Sequence, residues 1–477
     1  MKVTLALIFL FLFSGLCYAQ NFMGTWEGKL NISPPLRIVF TFSQKTGGSI
    51  KAAMQSPDQS NAILPTDTCY IKNDSIFTTE KKLGISFRGK LIADSIIQGV
   101  FTQGKNLPLV LKKVNKVTQL KRPQTPQAPF AYHNEEVSFF NLDKSIQFAG
   151  TLTWPQTEPG TEHFRKPIYP AVILISGSGP QNRDETIFGH KPFAVLADYL
   201  TKKGFAVLRV DDRGVGASTG NFATATTADF ANDTEAAIDF LKQQQQIDTA
   251  HIGLIGHSEG GLIAPIVAAR RNDIGFIVLL AGPGIAITKL MAEQVEAVGK
   301  SAGQNAAMQQ AGKELFSIAS VEVLKEKDAK VIKINTAKKV ESWAAKKNTL
   351  VLKQMNLSTP QKRNAFLGGQ LSALTTNWYR YFLSINPQHY LAKLKCPVLA
   401  LNGSKDIQVL PASNLEGIRA ALKKSKSPQY NVVEIPGLNH LFQTCKTCTA
   451  AEYAELEESF SPTAMEIIGN WLLQYGR

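Results

Sequence analysis

Gly256-His257-Ser258-Glu259-Gly260-Gly261 constrains this chain more than any other stretch, because it lies between the apolar run His251 to Ile255 and the small, apolar run Leu262 to Ala269. The pattern reads as strand, tight turn and helix, with a serine at the apex. Glycines stand two residues to either side of Ser258 because the turn needs unusual backbone angles, and because side chains there would collide with the neighbouring strand and helix. The hydroxyl is thereby raised at the strand's C-terminal end, beside the positive end of a helix dipole.

A nucleophilic serine needs a general base, and the base needs a carboxylate to orient it. With a turn of this kind the order along the chain is serine, acid, histidine. The apolar run Pro397 to Leu401 opens into Asn402-Gly403-Ser404-Lys405-Asp406, which nominates Asp406 as the acid. Of the seven histidines only His440 lies beyond it, just after the strand-like Tyr430 to Ile435. A tetrahedral intermediate also needs backbone donors. One is expected to be the amide of Glu259, and the other to come from the loop after an earlier strand. Ala171 to Ile175 is almost wholly apolar and opens into Ser176-Gly177-Ser178-Gly179-Pro180, so the amide of Ser178 is nominated.

The rest of the 477 residues divides around these motifs. Residues 22–120 carry short runs of β-formers separated by Gly, Asn, Asp and Pro, and are expected to form a small antiparallel β-domain. Trp26, in Gly24-Thr25-Trp26, is read as a plug at the end of a barrel. Residues 121–134 contain Arg122-Pro123-Gln124-Thr125-Pro126 and read as a semi-extended linker. From 135 to 477 strand and helix signals alternate: helix 191–203, strand 205–210, helix 227–245, strand 251–255, helix 260–270 and strand 275–281 among them. That is the rhythm of a parallel sheet with helices on both faces. It is interrupted at about 284–392 by Ala-, Gln- and Lys-rich helical sequence, expected as a cap, whose Trp378, Tyr379 and Phe382 are nominated as substrate contacts.

With SGSGPQNRDET at 176–186, LRVDDRGVGASTG at 208–220, IGLIGHSEGG at 252–261, NGSKD at 402–406 and GLNHLFQ at 437–443, the chain resembles the alpha/beta-hydrolase superfamily. Within it the chain is similar to bacterial carboxylesterases and serine aminopeptidase-like hydrolases. The resemblance spans residues 170–477 and implies an α/β fold: a mostly parallel sheet with a helical cap, here preceded by the β-domain. It implies hydrolysis through an acyl-serine, with no metal and no organic cofactor. A carboxylesterase acting on small-molecule esters is expected, against two alternatives: a peptidase or amidase on small peptides, and a non-enzymatic binding scaffold. Cys445-Lys446-Thr447-Cys448 departs from the family pattern.

Residues 1–19, with Lys2 before the apolar Leu5 to Phe13 and small residues near Ala19, read as a secretory signal peptide, so a periplasmic or secreted protein is expected. Lipid attachment at Cys17 is disfavoured because Leu16 stands where a small residue is wanted. Cys445 and Cys448 are expected as a local bridge or two idle thiols rather than a redox or zinc motif. The formal charge of +14 is spread out, with the lysine-rich 313–363 stretch read as a solvated helical face. Neither a nucleic-acid partner nor a stable membrane insertion is expected. Asp211-Asp212-Arg213 and Arg183-Asp184-Glu185 are read as loop braces, and His257 as a turn residue.

Overall fold

The computed structural model describes residues 21–32, 35–45, 48–58, 63–72, 74–117, 121–156 and 167–476, so the expected signal peptide lies outside the described residues. The described residues fall into two compact units, one of those within Met1–Arg122 together with Ile187–Gly189 and Tyr453–Glu457, the other of those within Pro123–Thr186, His190–Glu452 and Glu458–Arg477.

In the first unit the described residues form nine strands: β1 (Gly24–Leu30), β2 (Leu36–Gln44), β3 (Ile50–Gln55), β4 (Leu64–Pro65), β5 (Thr68–Lys72), β6 (Ser75–Glu80), β7 (Ile85–Ala93), β8 (Ile96–Gln103) and β9 (Lys105–Val114). They make one antiparallel sheet in the order β4-β3-β2-β1-β9-β8-β7-β6-β5. Ile38, Phe40 and Phe42 alternate inward along β2, and Ile85 and Phe87 do so along β7, as period-two strands with one buried face must. Phe40 stacks on Phe87 at 5.0 Å between ring centroids. Trp26 is fully buried among them and its indole N–H donates to the Phe22 carbonyl at 2.7 Å, which satisfies its one polar atom.

The second unit is built on eight strands: β10 (Tyr132–Phe140), β11 (Gln147–Pro155), β12 (Tyr169–Ile175), β13 (Ala206–Val210), β14 (Ile247–His257), β15 (Phe276–Leu280), β16 (Val398–Gly403) and β17 (Tyr430–Ile435). Their order is β10-β11-β13-β12-β14-β15-β16-β17. The β10–β11 and β11–β13 pairs are antiparallel and the rest parallel. Strand β10 begins at Tyr132, three residues inside the expected linker, because Tyr132 pairs with Pro155 at the end of β11.

Helices α1 (Pro192–Lys202), α2 (Thr227–Leu241) and α3 (Gly260–Arg270) follow β12, β13 and β14. The central strands are buried on both faces, and successive residues of β12 serve opposite cores: Ile173 packs with α2 and α3, while Val172 and Leu174 pack with α1. Helix α2 stops at Leu241 rather than 245, because the backbone five residues on is recruited to the sheet: the Gln246 carbonyl accepts from the Tyr169 amide at 2.8 Å. Between β15 and β16 stand α4 (Ile287–Ser301), α5 (Ala306–Lys325), α6 (Ala329–Ala344), α7 (Thr349–Gln354), α8 (Pro360–Leu374), α9 (Asn377–Leu383) and α10 (Gln388–Leu391). Several start on side-chain caps: Asn305, Asp328, Thr359 and Thr376 each accept a backbone N–H of the first turn. This helical segment has a core of its own around Leu315, Val340, Trp343 and Leu367. No helix among the described residues is long and apolar enough to cross a membrane.

Candidate active site

Strand β14 enters a turn at whose apex Ser258 has φ of +53°, a left-handed conformation that a side chain adopts only at a cost of about 1–3 kcal/mol. Packing enforces it. A Cβ on Gly256 would lie 2.0 Å from the Gly260 carbonyl oxygen, and one on Gly260 would lie 2.1 Å from that of Ile175. The two glycines therefore let strand, helix and β12 converge beneath the serine, whose own amide donates to Leu280 at 2.8 Å.

Asp406 and His440 extend from β16 and β17 and are both buried. His440 Nδ1 donates to Asp406 Oδ2 at 2.8 Å, while Asp406 Oδ1 accepts from the Gln408 and Val409 amides at 2.7 and 2.9 Å. Both carboxylate oxygens are thus committed, and Nε2 is the ring nitrogen left to act as a base. Fully buried Asn439 shapes the histidine loop by accepting from the Leu441 and Gln443 amides. Gly403 lets that loop approach β16, since a Cβ there would lie 2.2 Å from the Leu438 oxygen. His257, next to Ser258, bonds the His440 carbonyl through Nε2 at 2.9 Å, which joins the serine turn to the histidine loop.

The loop after β12 packs on the same turn. A Cβ on Gly177 would lie 3.2 Å from that of Ser258, so only glycine fits without displacement. The Gly177 amide is taken by the Glu185 carboxylate at 2.7 Å. The Ser178 and Glu259 amides donate to no protein group among the described residues, so both are available to a ligand. Trp378, on α9, stacks on Phe382 at 5.2 Å and donates its indole N–H to the Glu259 carboxylate at 2.9 and 3.2 Å. Phe382 faces the core, whereas Tyr379 stands edge-on to Trp378 and is half-buried.

The Hydrolase_4 family model (Serine aminopeptidase, S33) matches residues 191–444. The chain belongs to this family. A 128-residue stretch, 27% of the chain, is 31% identical to Esterase EstD of Thermotoga maritima, and spans only 30% of that protein's length. Solved structures similar in fold include the esterase Pf2001 of Pyrococcus furiosus, at 15% identity over 72% of this chain and 94% of that one, TM-score 0.39. Est1E of Butyrivibrio proteoclasticus, solved with ferulic acid, matches at 19% identity over 69% and 96%, TM-score 0.38.

Three carboxylates surround the serine turn of this S33-family hydrolase. Burial raises the Glu259 carboxyl above its ordinary range, against hydrogen bonds from Thr227, Trp378 and Ser178 that favour the charged form. Burial also raises Asp212, to about 7, although the Gln181 amide and Ser176 hydroxyl bond it and pull the other way; the charges of Glu185 and Glu259 add to the rise. A carboxyl that titrates higher in the native state than its unfolded value of about 4 binds the extra proton between those two pH values. Its stabilising contribution is complete below about pH 4 and is lost as pH climbs through about 7. Asp212→Asn is therefore expected to flatten the stability profile between about pH 4 and 7, measured by urea unfolding. Parallel wild-type and variant profiles would contradict it.

The acidic cluster is where sequence reasoning was least complete. Arg183 and Asp184 do brace the loop, through Asp211 and Arg209. Glu185 and His257 do more than a brace or a turn residue: both are buried, and Glu185 Oε1 meets His257 Nδ1 at 2.9 Å. Their one sequence signal was position, an acid just past the oxyanion-type loop and a histidine just before the nucleophile candidate. Cys445 and Cys448 form a disulfide, and the Glu452 carboxylate beside them is occupied by the Lys446, Thr447 and Cys448 amides.

Proposed function

We propose that this hydrolase cleaves carboxylic esters through an acyl-serine. The observation that carries the reading is the Asp406–His440 bond, which commits Nδ1 and leaves Nε2 for a serine held at a strained turn bonded to the same histidine loop. His440 takes the Ser258 proton as the hydroxyl attacks the ester carbonyl, and Asp406 stabilises the imidazolium that forms. The Ser178 and Glu259 amides receive the developing oxyanion, each contributing about 3 kcal/mol. The alcohol leaves with the proton from His440, and water activated by the same ring releases the acid. A cavity of about 60 Å³ walled by Phe222, Phe230 and Ile263 adjoins Gly177 and Glu259, and suits a short acyl chain.

The esterase names carried by EstD, Pf2001 and Est1E agree with this activity. Aminopeptidase action would need an uncommitted acid to bind a substrate ammonium. Glu185, Asp212 and Glu259 are each engaged by protein donors instead. Turnover of a short-chain aryl ester is expected to exceed that of an aminoacyl arylamide by at least about 100-fold, because the amide's poorer leaving group must be protonated in a site built without a hold on its amine. Preference for the arylamide would overturn the ester assignment. We also propose that the protein works outside the cytoplasm, which the leader-like residues 1–19 and the Cys445–Cys448 bridge support.

A further inference from the structure

We propose that Glu185 and His257 form a buried carboxylate–imidazolium pair that positions the active site, locking the oxyanion loop and the His440 loop to the two sides of the serine turn. The proposal rests on the serine-hydrolase reading for its kinetic consequence, but not for the charge state it assigns.

The charge state follows from the partners. His257 Nδ1 faces a carboxylate oxygen at 2.9 Å and Nε2 faces the His440 carbonyl oxygen at 2.9 Å. With Glu185 ionised, neither its carboxylate nor the peptide carbonyl can donate, so both ring nitrogens carry a proton and the ring is an imidazolium. Glu185 Oε1 also accepts the Gly177 amide at 2.7 Å, and two donors converging on one oxygen suit a charged acceptor. The His257 and Glu185 side chains are 7% and 2% exposed, so the two opposite charges are withdrawn from water together. Burial of the ring opposes its protonation. The charge and hydrogen bond of Glu185, the His440 carbonyl and the charge of Asp406 outweigh it, and the imidazole stays protonated above its ordinary range. The His440 ring, 4.9 Å away between centroids, and the edge of Phe442 also pack against it.

The geometry makes the pair a joint rather than a local contact. Glu185 stands at φ of +50°, a conformation unfavourable for a side chain-bearing residue and one that surrounding contacts have to impose. It thereby reaches back to the loop that starts eight residues earlier, and by engaging the Gly177 amide it leaves that of Ser178 as the adjacent free donor. His257 in turn holds the backbone of the residue whose side chain is the proposed base. A single two-residue unit thus sets the oxyanion donors and the base against Ser258, and loosening it misplaces both at once. Glu185 and His257 are positioning residues, since the protein groups they bond are the Gly177 amide and the His440 carbonyl.

The test pairs a spectroscopic readout with kinetics. Histidine-selective ¹⁵N NMR of the full chain at pH 8.5 is expected to show one doubly protonated ring, assigned by its disappearance in His257→Gln and converted to the neutral form in Glu185→Gln. On a short-chain aryl ester, with active sites titrated by a fluorophosphonate, both variants are expected to lose roughly 10²-fold in kcat with KM changed less than about threefold, as for misplaced reacting groups. Glu185→Asp, which keeps the charge, is expected to recover part of the loss. A neutral His257 at pH 8.5 in the wild type overturns the charge assignment whether or not any variant folds. Folded variants with wild-type kcat per titrated site overturn the positioning role. A wild type that shows the imidazolium but does not turn over esters would refute the ester reading and leave the pair standing.

Discussion

Ser258→Ala is expected to lower ester turnover roughly 10⁶-fold and to abolish fluorophosphonate labelling while leaving the fold intact. The size of the loss follows from the group removed: without Oγ no acyl-enzyme forms, and the residual rate rests on oxyanion donors and binding alone. The fold should persist because the turn does not depend on the hydroxyl. Its amide still donates to Leu280, and Gly256 and Gly260 still permit the crossing of strand and helix. Alanine must adopt the same φ of +53° at a similar cost, so unfolding is expected within a few degrees of wild type. Label or turnover retained by a folded variant would remove Ser258 as nucleophile. It would then point to a different nucleophile rather than the mechanism proposed above.

What the sequence made legible was whatever is decided locally. The serine turn could be read because the steric demand for glycine at 256 and 260 arises within a few residues. The alternation of apolar runs with helical segments reported the parallel sheet, whose central strands are buried on both faces and so carry little polar signal to confuse the pattern. His440 emerged by elimination, as the last histidine of the chain, and its bond to Asp406 across 34 residues needed no pairing information beyond their order. The contacts that sequence did not disclose are those between residues with no shared period. His257 and Glu185 are 72 positions apart, and Glu259 and Trp378 are 119 apart. Trp378 was expected at the substrate. Its indole N–H also donates to the Glu259 carboxylate, because a buried acid beside Ser258 needs donors and the cap supplies one. The end of α2 was misplaced for a similar reason: the glutamine-rich run after Leu241 favours helix locally, but the sheet claims the backbone of Gln246.

Asp406→Asn tests the second half of the mechanism, and the hydrogen bonds around it determine what the substitution does. Oδ1 accepts two backbone amides, from Gln408 and Val409, and those donors cannot turn away or reverse their role. An asparagine must therefore give them its carbonyl oxygen, which directs its NH₂ at His440. The imidazole can accept that bond only through an unprotonated Nδ1, so its proton moves to Nε2, the nitrogen required as base. The ring is then in the wrong tautomer for the proposed base. A fall of roughly 10⁴-fold in kcat is expected, as in comparable triads, from a side chain of almost the same volume. Stability should drop modestly, because three charge-assisted bonds become neutral ones, the one to His440 reversing its direction, while both backbone amides keep their acceptor. Asp406→Ala separates the two effects: it strands the Gln408 and Val409 amides in a buried loop and is expected to lower the melting temperature well below that of the asparagine variant. Near-wild-type turnover in a folded Asp406→Asn enzyme would show that another acid orients His440, and would take Asp406 out of the proposed mechanism.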